Sequence, residues 1–257
     1  MQTLKKIAKT LIACGLAAAI SGGVCYSVMT SVNQVPTIAE IQHAENVSPT
    51  LPPGVQSTLR RSRNSTVRIL SISDKGGVAT TTGTYVRANG NYYVVTVMHG
   101  LVGPCGVTRI WTEEEGFTPC QQVVIGSALI DYAVIQVGEI PSLEAIPIPR
   151  ALPRASQWRG ALSTQTKLYY TGYPNSTGPL TFAGTIVGYA DGDYIYMHSF
   201  AWGGASGSGV FSETGEFIGY VLAIDIGETT YGIDVLEDIV IVVPAFKIDW
   251  ATILEGK

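Results

Sequence analysis

Positive charge is scarce in this sequence. Lysine and arginine number 16 against 20 aspartates and glutamates, the net charge is -4, and only 14% of the residues are charged. Without a basic surplus the chain has little attraction for phosphate backbones, so we expect no nucleic-acid partner. A hydrophobic fraction of 46% excludes an intrinsically disordered protein. The length of 257 residues allows one large all-β domain or two small ones.

Histidine and cysteine are also few, and their positions argue against a metal site. The three histidines are His43, His99 and His198. Cys105 and Cys120 have only His99 near them in sequence, which fits no zinc-binding template, so we expect no metal and no cofactor. The two cysteines are either a disulfide pair in an oxidising compartment or two buried free thiols.

Charged residues are absent from a long stretch near the N-terminus. No Asp, Glu, Lys or Arg occurs between Lys9 and Glu40, and residues 11 to about 32 are mostly apolar. About 20 apolar residues are enough to span a bilayer, and the preceding lysines favour translocation of the residues on the C-terminal side. We therefore predict that residues 1–36 form an N-terminal hydrophobic helix that anchors the protein in a membrane. The alternative is a cleaved signal peptide. The rest of the chain is then exoplasmic or periplasmic, or secreted if cleavage occurs.

Turn-forming residues divide the remainder of the chain. Residues 37–62 are polar and contain prolines, which is typical of a linker. Beyond them, short runs rich in Val, Ile, Tyr and Thr alternate with Gly, Asn and Asp turn signals. A proline-bearing connection at residues 138–160 separates two strand-rich halves. We predict an all-β domain over residues 63–257, with one barrel at about residues 63–145 and a second at about residues 155–245.

Three residues, taken in chain order, have the properties of a catalytic unit. His99 ends a strand in the segment VTVMHG, where its ring can reach a cleft between sheets. Asp131 interrupts the apolar segment LIDYAV, and a carboxylate there requires a partner such as an imidazole N–H. Ser206 lies in the segment GGASGSGV, and a serine becomes a nucleophile when a base takes its proton. The glycines permit unusual backbone angles and let the N–H groups of Gly204 and Ser206 face a developing oxyanion.

These motifs in the order His, Asp, Ser resemble those of the trypsin/chymotrypsin-like serine peptidase family. The resemblance covers about residues 64–245 and is closest to the compact bacterial and viral branch, which includes the Deg/HtrA proteases and the glutamyl endopeptidases. It implies two six-stranded antiparallel β-barrels and a serine endopeptidase that cleaves protein or peptide substrates through an acyl-enzyme. By this resemblance His99 is the general base and acid, Asp131 orients it, and Ser206 attacks the carbonyl. Gly204 and Ser206 then supply the oxyanion-hole N–H groups.

The resemblance also implies a substrate pocket beside the nucleophile. Phe200 and Ala201 are expected near its base, and Leu222, Ala223 and Ile224 along one wall. These side chains are apolar, which favours a small or apolar substrate residue before the cleaved bond.

Other residues near the expected pocket leave alternatives open. Asp225 in the pocket would select lysine or arginine, and His198 would contact an acidic side chain unless it is an ordinary strand histidine. Ala205 occupies the position at which zymogen-activated relatives carry an aspartate that pairs with a newly cut N-terminus. Because alanine forms no ion pair, we expect the site to assemble without that step. The alternative function is a catalytically silent, membrane-anchored binding or structural protein with a protease-like fold, against which the intact triad argues.

Overall fold

The structure is a computed structural model that describes residues 51–148, 155–229 and 232–254. For residues 155–156, 224–229 and 232–237 it describes the backbone but not the side chains. The N-terminal hydrophobic helix predicted at residues 1–36, and His43, lie outside the described residues. Among the residues that the structure does describe, no helix combines the length and the apolar character needed to cross a membrane.

Strands dominate the described residues, as the sequence predicted. The first half contains helix α1 (Pro53–Asn64) and strands β1 (Thr66–Ile72), β2 (Val78–Ala88), β3 (Asn91–Thr96), β4 (Arg109–Thr112), β5 (Gly116–Pro119), β6 (Gln122–Ser127), β7 (Tyr132–Val137) and β8 (Ile146–Pro147). The second half contains helix α2 (Ala155–Ala161), strands β9 (Lys167–Gly172), β10 (Leu180–Tyr189), β11 (Ile195–His198), β12 (Gly209–Ser212), β13 (Phe217–Thr229) and β14 (Gly232–Pro244), and helix α3 (Trp250–Leu254). The all-β fold class is confirmed.

The first half is an open sheet rather than the closed six-stranded barrel that we predicted for residues 63–145. Its strands are ordered β5-β4-β1-β2-β3-β7-β6, and β8 adds to β2 in parallel. The two outer strands, β5 and β6, do not pair with each other. Both strands are only partly buried along their length.

The second half is a closed six-stranded barrel, in agreement with the sequence. Its strands pair in the order β10-β11-β14-β13-β12-β9, and β9 pairs with β10 to complete the circle. The barrel interior is filled by buried side chains that include Leu168, Ile186, Met197 and Val210. Alternate residues of these strands face inward, as the period-2 pattern of the sequence requires.

A shared core joins the two halves. Val95 and Tyr132 of the first half pack with Phe211 and Tyr220 of the second half and with Trp250 of α3. The Tyr220 hydroxyl also donates a hydrogen bond to the backbone carbonyl of Ile130 at 3.2 Å. The segment around residue 131 is therefore fixed against strand β13.

Helix α1 covers residues that the sequence assigned to a linker. It begins at Pro53, whose fixed φ suits the first turn of a helix. Thr58 is buried and donates to the carbonyl of Glu213 at 3.0 Å, and the buried hydroxyls of Ser62 and Thr171 are 2.8 Å apart. Residues 53–62 thus form a helix packed on the second barrel and not a linker. The hydrogen bonds of Thr58 and Ser62 to that barrel hold the helix there, and the composition of the segment does not reveal them.

A disulfide bond joins Cys105 and Cys120, whose Cα atoms are 5.3 Å apart. Cys105 begins the 3-10 turn Cys105–Val107, and Cys120 directly follows β5. The bond closes a separation of 15 residues and ties the segment after His99 to the edge of the open sheet.

Candidate active site

His99 lies where strand β3 ends, on the 3-10 turn Met98–Gly100. Strand β7 runs beside β3, with Thr96 paired to Ala133, so Asp131 at the start of β7 lies next to this turn. The His99 backbone N–H donates to Asp131 Oδ1 at 2.8 Å, and His99 Nδ1 lies 2.5 Å from Asp131 Oδ2. With the Nδ1 proton directed at the carboxylate, Nε2 is left as the basic nitrogen of the ring.

Asp131 adopts a left-handed backbone conformation, with φ of 60°. Aspartate tolerates this conformation better than most residues, although it still stores strain. With this backbone conformation, the carboxylate of Asp131 lies within hydrogen-bonding distance of His99. The structure therefore brings together the histidine and aspartate that the sequence predicted as partners.

Ser206 lies in a tight loop before strand β12. The Ala205 N–H donates to the carbonyl of Trp202 at 3.0 Å, which closes a four-residue turn. Its third residue, Gly204, has φ of 97°, which is the type II arrangement and requires glycine there. Ser206 follows this turn directly and is partly exposed.

Strand β2 of the open sheet holds the loop that carries Ser206. The Thr82 N–H donates to the Ser206 carbonyl at 2.9 Å, and the Thr81 hydroxyl donates to the same oxygen at 2.5 Å. Gly207 has φ of 87°, and a Cβ atom there would lie 2.0 Å from the carbonyl oxygen of Thr82. The loop can approach β2 this closely only because residue 207 is glycine.

Thr81 also connects Ser206 to the histidine. A Cβ atom on Gly100, the residue after His99, would lie 2.6 Å from the methyl carbon of Thr81. One side chain thus contacts the turn that carries His99 and the backbone of Ser206. The structure places all three predicted catalytic residues at the junction of the two halves.

The N–H groups on either side of Ala205 have no acceptor among the described residues, and the same is true of the more exposed Trp202 and Gly203 N–H groups. Among the residues described, neither the Gly204 N–H nor the Ser206 N–H donates a hydrogen bond, whereas the neighbouring Ala205, Gly207 and Ser208 N–H groups all do. Gly204 and Ser206 are partly exposed, so both N–H groups are accessible to a ligand. Free N–H donors beside a serine are chemically suited to bind an oxyanion.

The predicted pocket residues fall into two groups. The Phe200 side chain is half exposed, its ring lies 5.7 Å from that of Phe182, and its carbonyl accepts a hydrogen bond from the Tyr170 hydroxyl. Burial raises the pKa of Tyr170, so this hydroxyl stays protonated as a donor. Ala201 is buried beside it.

The predicted wall of the pocket lies on strand β13. Leu222 and Ala223 are partly buried there, and the side chains of Ile224 and Asp225 lie outside the described residues. His198 ends strand β11 with an exposed side chain, and its backbone pairs with Thr185 and Ile239. Within the described part of the chain, no cluster of three His, Cys, Asp or Glu side chains could hold a metal ion.

The family model for the trypsin-like peptidase domain matches residues 81–219, more than half of the chain. The chain belongs to the trypsin-like peptidase domain family. The matched residues of this trypsin-like domain include His99, Asp131 and Ser206. No curated protein sequence matches the chain.

Solved structures of proteases share the fold. The HtrA-type protease AlgW, solved with a tripeptide, is 18% identical with a TM-score of 0.59, and the match covers 80% of this chain and 65% of AlgW. The Rv3671c protease from M. tuberculosis in its active form is 19% identical with a TM-score of 0.56, and the match covers 79% of this chain and 84% of that protein. The chain thus spans about two thirds of the length of AlgW. The chymotrypsin-like fold expected from the sequence is confirmed.

Sequence reasoning missed the residues that hold the nucleophile loop in this trypsin-like domain. Thr81 and Thr82 are two of three consecutive threonines in β2, and Asn175 lies in the 3-10 turn Pro174–Ser176. Threonine in a strand is ordinary, because its branched side chain suits a sheet. An unusual run of three threonines before Gly83 was the one available signal, and it did not name their partners.

Proposed function

We propose that the protein is a serine endopeptidase whose catalytic residues are His99, Asp131 and Ser206. The observation that carries the proposal is the pair of hydrogen bonds that Asp131 accepts from His99, at the junction where Ser206 lies beside N–H groups without an acceptor among the described residues. This arrangement contains a base, a group that orients it, a nucleophile and donors for an oxyanion. Membership of the trypsin-like peptidase family supports the same reaction.

The reaction begins with proton transfer from Ser206 to His99. As Nε2 accepts the hydroxyl proton, Ser206 Oγ forms a bond to the peptide carbonyl carbon, and the carbonyl oxygen becomes an oxyanion. The N–H groups of Gly204 and Ser206 donate to this oxygen, and Asp131 stabilises the positively charged imidazole. His99 then gives the proton to the leaving nitrogen as the C–N bond breaks, which leaves an acyl-enzyme on Ser206.

Water completes the cycle on the acyl-enzyme. His99 accepts a proton from the attacking water, whose oxygen bonds to the acyl carbon. The tetrahedral intermediate collapses as the bond to Ser206 Oγ breaks, and His99 returns the proton to that oxygen. The products are a carboxylic acid and an amine, and the enzyme is regenerated.

We further propose a preference for a small or apolar residue before the cleaved bond. The half-exposed ring of Phe200, the buried Ala201, and the apolar Leu222 and Ala223 on β13 support it. No described side chain of this group carries a charge that would bind a basic or acidic substrate residue.

The proposed site of action is outside the cytosol. The disulfide between Cys105 and Cys120 supports it, because such bonds persist chiefly in oxidising compartments. The membrane anchor predicted at residues 1–36 remains a prediction from the sequence.

A fluorophosphonate probe tests the proposed reaction, because it phosphonylates an activated serine but not an ordinary one. We expect the wild-type protein to be labelled at Ser206 and the folded Ser206→Ala variant to remain unlabelled. A peptide library should be cleaved by the wild-type protein alone, with small or apolar residues before the cut. A folded wild-type protein that neither reacts with the probe nor cuts any peptide would show that the fold serves another role.

A further inference from the structure

The orientation of one peptide group decides whether the proposed oxyanion hole exists. Gly203 and Gly204 share the peptide whose N–H is the first donor. In a trans peptide the carbonyl and the N–H point in opposite directions. A type I turn over Trp202–Ala205 would rotate this peptide and give Gly204 a φ of about -90° instead of the observed 97°. Contacts of this turn must therefore stabilise the type II form over the type I form.

The carbonyl of Gly203 is held on the side away from the site. It accepts a hydrogen bond from the Asn175 N–H at 2.6 Å. Asn175 and Ser176 both have left-handed φ values, of 50° and 59°, so this short segment is bent to a specific shape. The bond turns the Gly204 N–H in the opposite direction, which leaves it free.

The hydroxyl of Thr82 connects the two sides of this arrangement. It donates to the Gly204 carbonyl at 2.7 Å and accepts from the Tyr173 N–H at 2.9 Å. Thr82 is fully buried, so water does not replace either bond. One hydroxyl therefore fixes the peptide that follows Gly204 and the segment that ends in Asn175.

Among the residues that the structure describes, no ion pair holds this loop. Ala205, the residue before the nucleophile, is 1% exposed and packs in the apolar core of the second barrel. The ion pairs found among the described residues join Arg61 to Glu144, His99 to Asp131 and Arg159 to Asp193, and none reaches the Gly204 turn. The partners described for the carbonyl groups of Gly203 and Gly204 are the neutral Asn175 N–H and Thr82 hydroxyl.

We propose that Thr82 is the positioning residue of the oxyanion hole: its buried hydroxyl, bonded to the Gly204 carbonyl and the Tyr173 N–H, keeps the Gly204 N–H directed at the substrate carbonyl. The proposal rests on the proposed endopeptidase function. Without the hydroxyl, the Gly204 carbonyl and the Tyr173 N–H lose their partner, and the Asn175 segment loses its attachment to β2. The Gly203–Gly204 peptide is then free to rotate.

Variants of Thr82 test this role. Thr82→Ser keeps the hydroxyl, Thr82→Val keeps the shape without it, and Thr82→Ala differs from Thr82→Ser by the hydroxyl alone. Because loss of one oxyanion donor lowers kcat by about 10²- to 10³-fold, we expect Thr82→Ala and Thr82→Val to lose on the order of 10²-fold in kcat. KM should change little, since the donors act on charge that develops in the transition state. Thr82→Ser should restore most of the activity.

Thr171→Val is the matched control. Thr171 is also a fully buried threonine, and its hydroxyl also has two partners, Ser62 and Thr181, but neither belongs to the nucleophile loop. The Thr171→Val variant should lower Tm about as much as Thr82→Val does and leave kcat unchanged. The substrate for these assays is a peptide taken from the library screen, and labelling by the fluorophosphonate probe should slow in parallel with kcat.

The outcomes separate this proposal from the proposed function. If the wild-type protein is not labelled by the probe, the endopeptidase function itself fails. If it is labelled and the Thr82→Ala and Thr82→Val variants keep its kcat, the role of Thr82 is wrong. The role is also wrong if Thr171→Val or Thr82→Ser loses as much kcat, or if both hydroxyl-free variants fail to fold, since Thr82 would then serve folding alone.

Discussion

Asp131 binds His99 at two points at once. One carboxylate oxygen accepts the backbone N–H of His99 at 2.8 Å, and the other lies 2.5 Å from the ring Nδ1. The first bond fixes the turn Met98–Gly100, and the second fixes the rotation of the ring. A single carboxylate thus sets both the position of the histidine and its tautomer.

Replacing Asp131 with asparagine tests the second of these bonds. The amide oxygen of the new side chain would still accept the backbone N–H, while its NH₂ group would face Nδ1 and favour the tautomer with the proton on Nε2. That tautomer does not accept the serine proton, so Asp131→Asn should lower kcat by about 10⁴-fold with little change in Tm. Steady-state kinetics on a library-derived peptide measure the loss.

Asp74→Asn is the control for Asp131→Asn. Asp74 is exposed and lies in the turn between β1 and β2, so its substitution makes the same change in net charge away from His99. Its kcat should match the wild-type value. An Asp131→Asn variant that stays within about tenfold of the wild type would contradict the assigned role of the carboxylate.

Removal of the disulfide should destabilise the protein without altering its chemistry. The bond between Cys105 and Cys120 spans 15 residues, and closing a loop of that size stabilises by roughly 3 kcal/mol. The double variant Cys105→Ser, Cys120→Ser should lose about this much free energy of unfolding in urea. The wild-type protein in reducing buffer is the internal control and should unfold at the same urea concentration as the double variant. Equal midpoints for oxidised and reduced wild type would refute the prediction.

An alanine at position 207 should disrupt the contact between β2 and the nucleophile loop. The added Cβ would lie 2.0 Å from the Thr82 carbonyl oxygen, and φ of 87° is strained for alanine. Gly207→Ala should therefore lower Tm and reduce probe labelling of Ser206. Gly160→Ala is the control, because a Cβ atom at residue 160 in α2 would meet nothing within 4 Å, and it should be neutral or slightly stabilising. Equal labelling of the two variants would mean that the loop does not need its close approach to β2.

Stability should fall at alkaline pH through Tyr85. The side chain is buried, its hydroxyl accepts the Ile140 N–H at 2.9 Å, and burial raises its pKa to about 12. An unfolded tyrosine loses its proton near pH 10. Below about pH 10 the protonated Tyr85 makes its full contribution to the free energy of unfolding. That contribution is lost as the pH rises from about 10 toward 12, because in this range Tyr85 ionises in the unfolded state but not in the folded state.

Urea unfolding from about pH 8 to pH 11 measures this effect. Tyr85→Phe removes one ionisable group, so its free energy of unfolding should decline less steeply with pH than that of the wild type. The variant should be less stable at about pH 8, because the Ile140 N–H loses its partner. Parallel curves for the two proteins would show that Tyr85 ionises normally.

The sequence was most informative where a local pattern implies a local structure. Short runs rich in Val, Ile, Tyr and Thr between turn residues predicted the strands of the second barrel, and an aspartate in an apolar segment pointed to the partner that His99 provides. Both inferences depend only on the neighbours of a residue along the chain, because the end of a strand and a carboxylate within an apolar segment can be recognised from a few positions.

Other features depend on partners that are distant in sequence. The Thr82 hydroxyl bonds to a carbonyl 122 residues away, and a backbone carbonyl has no sequence signature. The sequence did not predict the helix over residues 53–64 for the same reason. Thr58 and Ser62 are typical of a linker by residue type, and their hydrogen-bond partners, Glu213 and Thr171, are distant in sequence. The open first sheet was mispredicted because closure depends on whether β5 and β6 meet, which their own composition does not determine.

The hydrogen bonds between β2 and the Ser206 loop have a consequence for a newly synthesised chain. His99 and Asp131 belong to the open sheet, Ser206 belongs to the barrel, and Thr81 and Thr82 join the two halves across 122 to 125 positions of sequence. A copy that has folded one half has no assembled site. On the proposed mechanism such a copy does not hydrolyse peptides, and we expect activity only after the barrel that carries Ser206 has folded against β2.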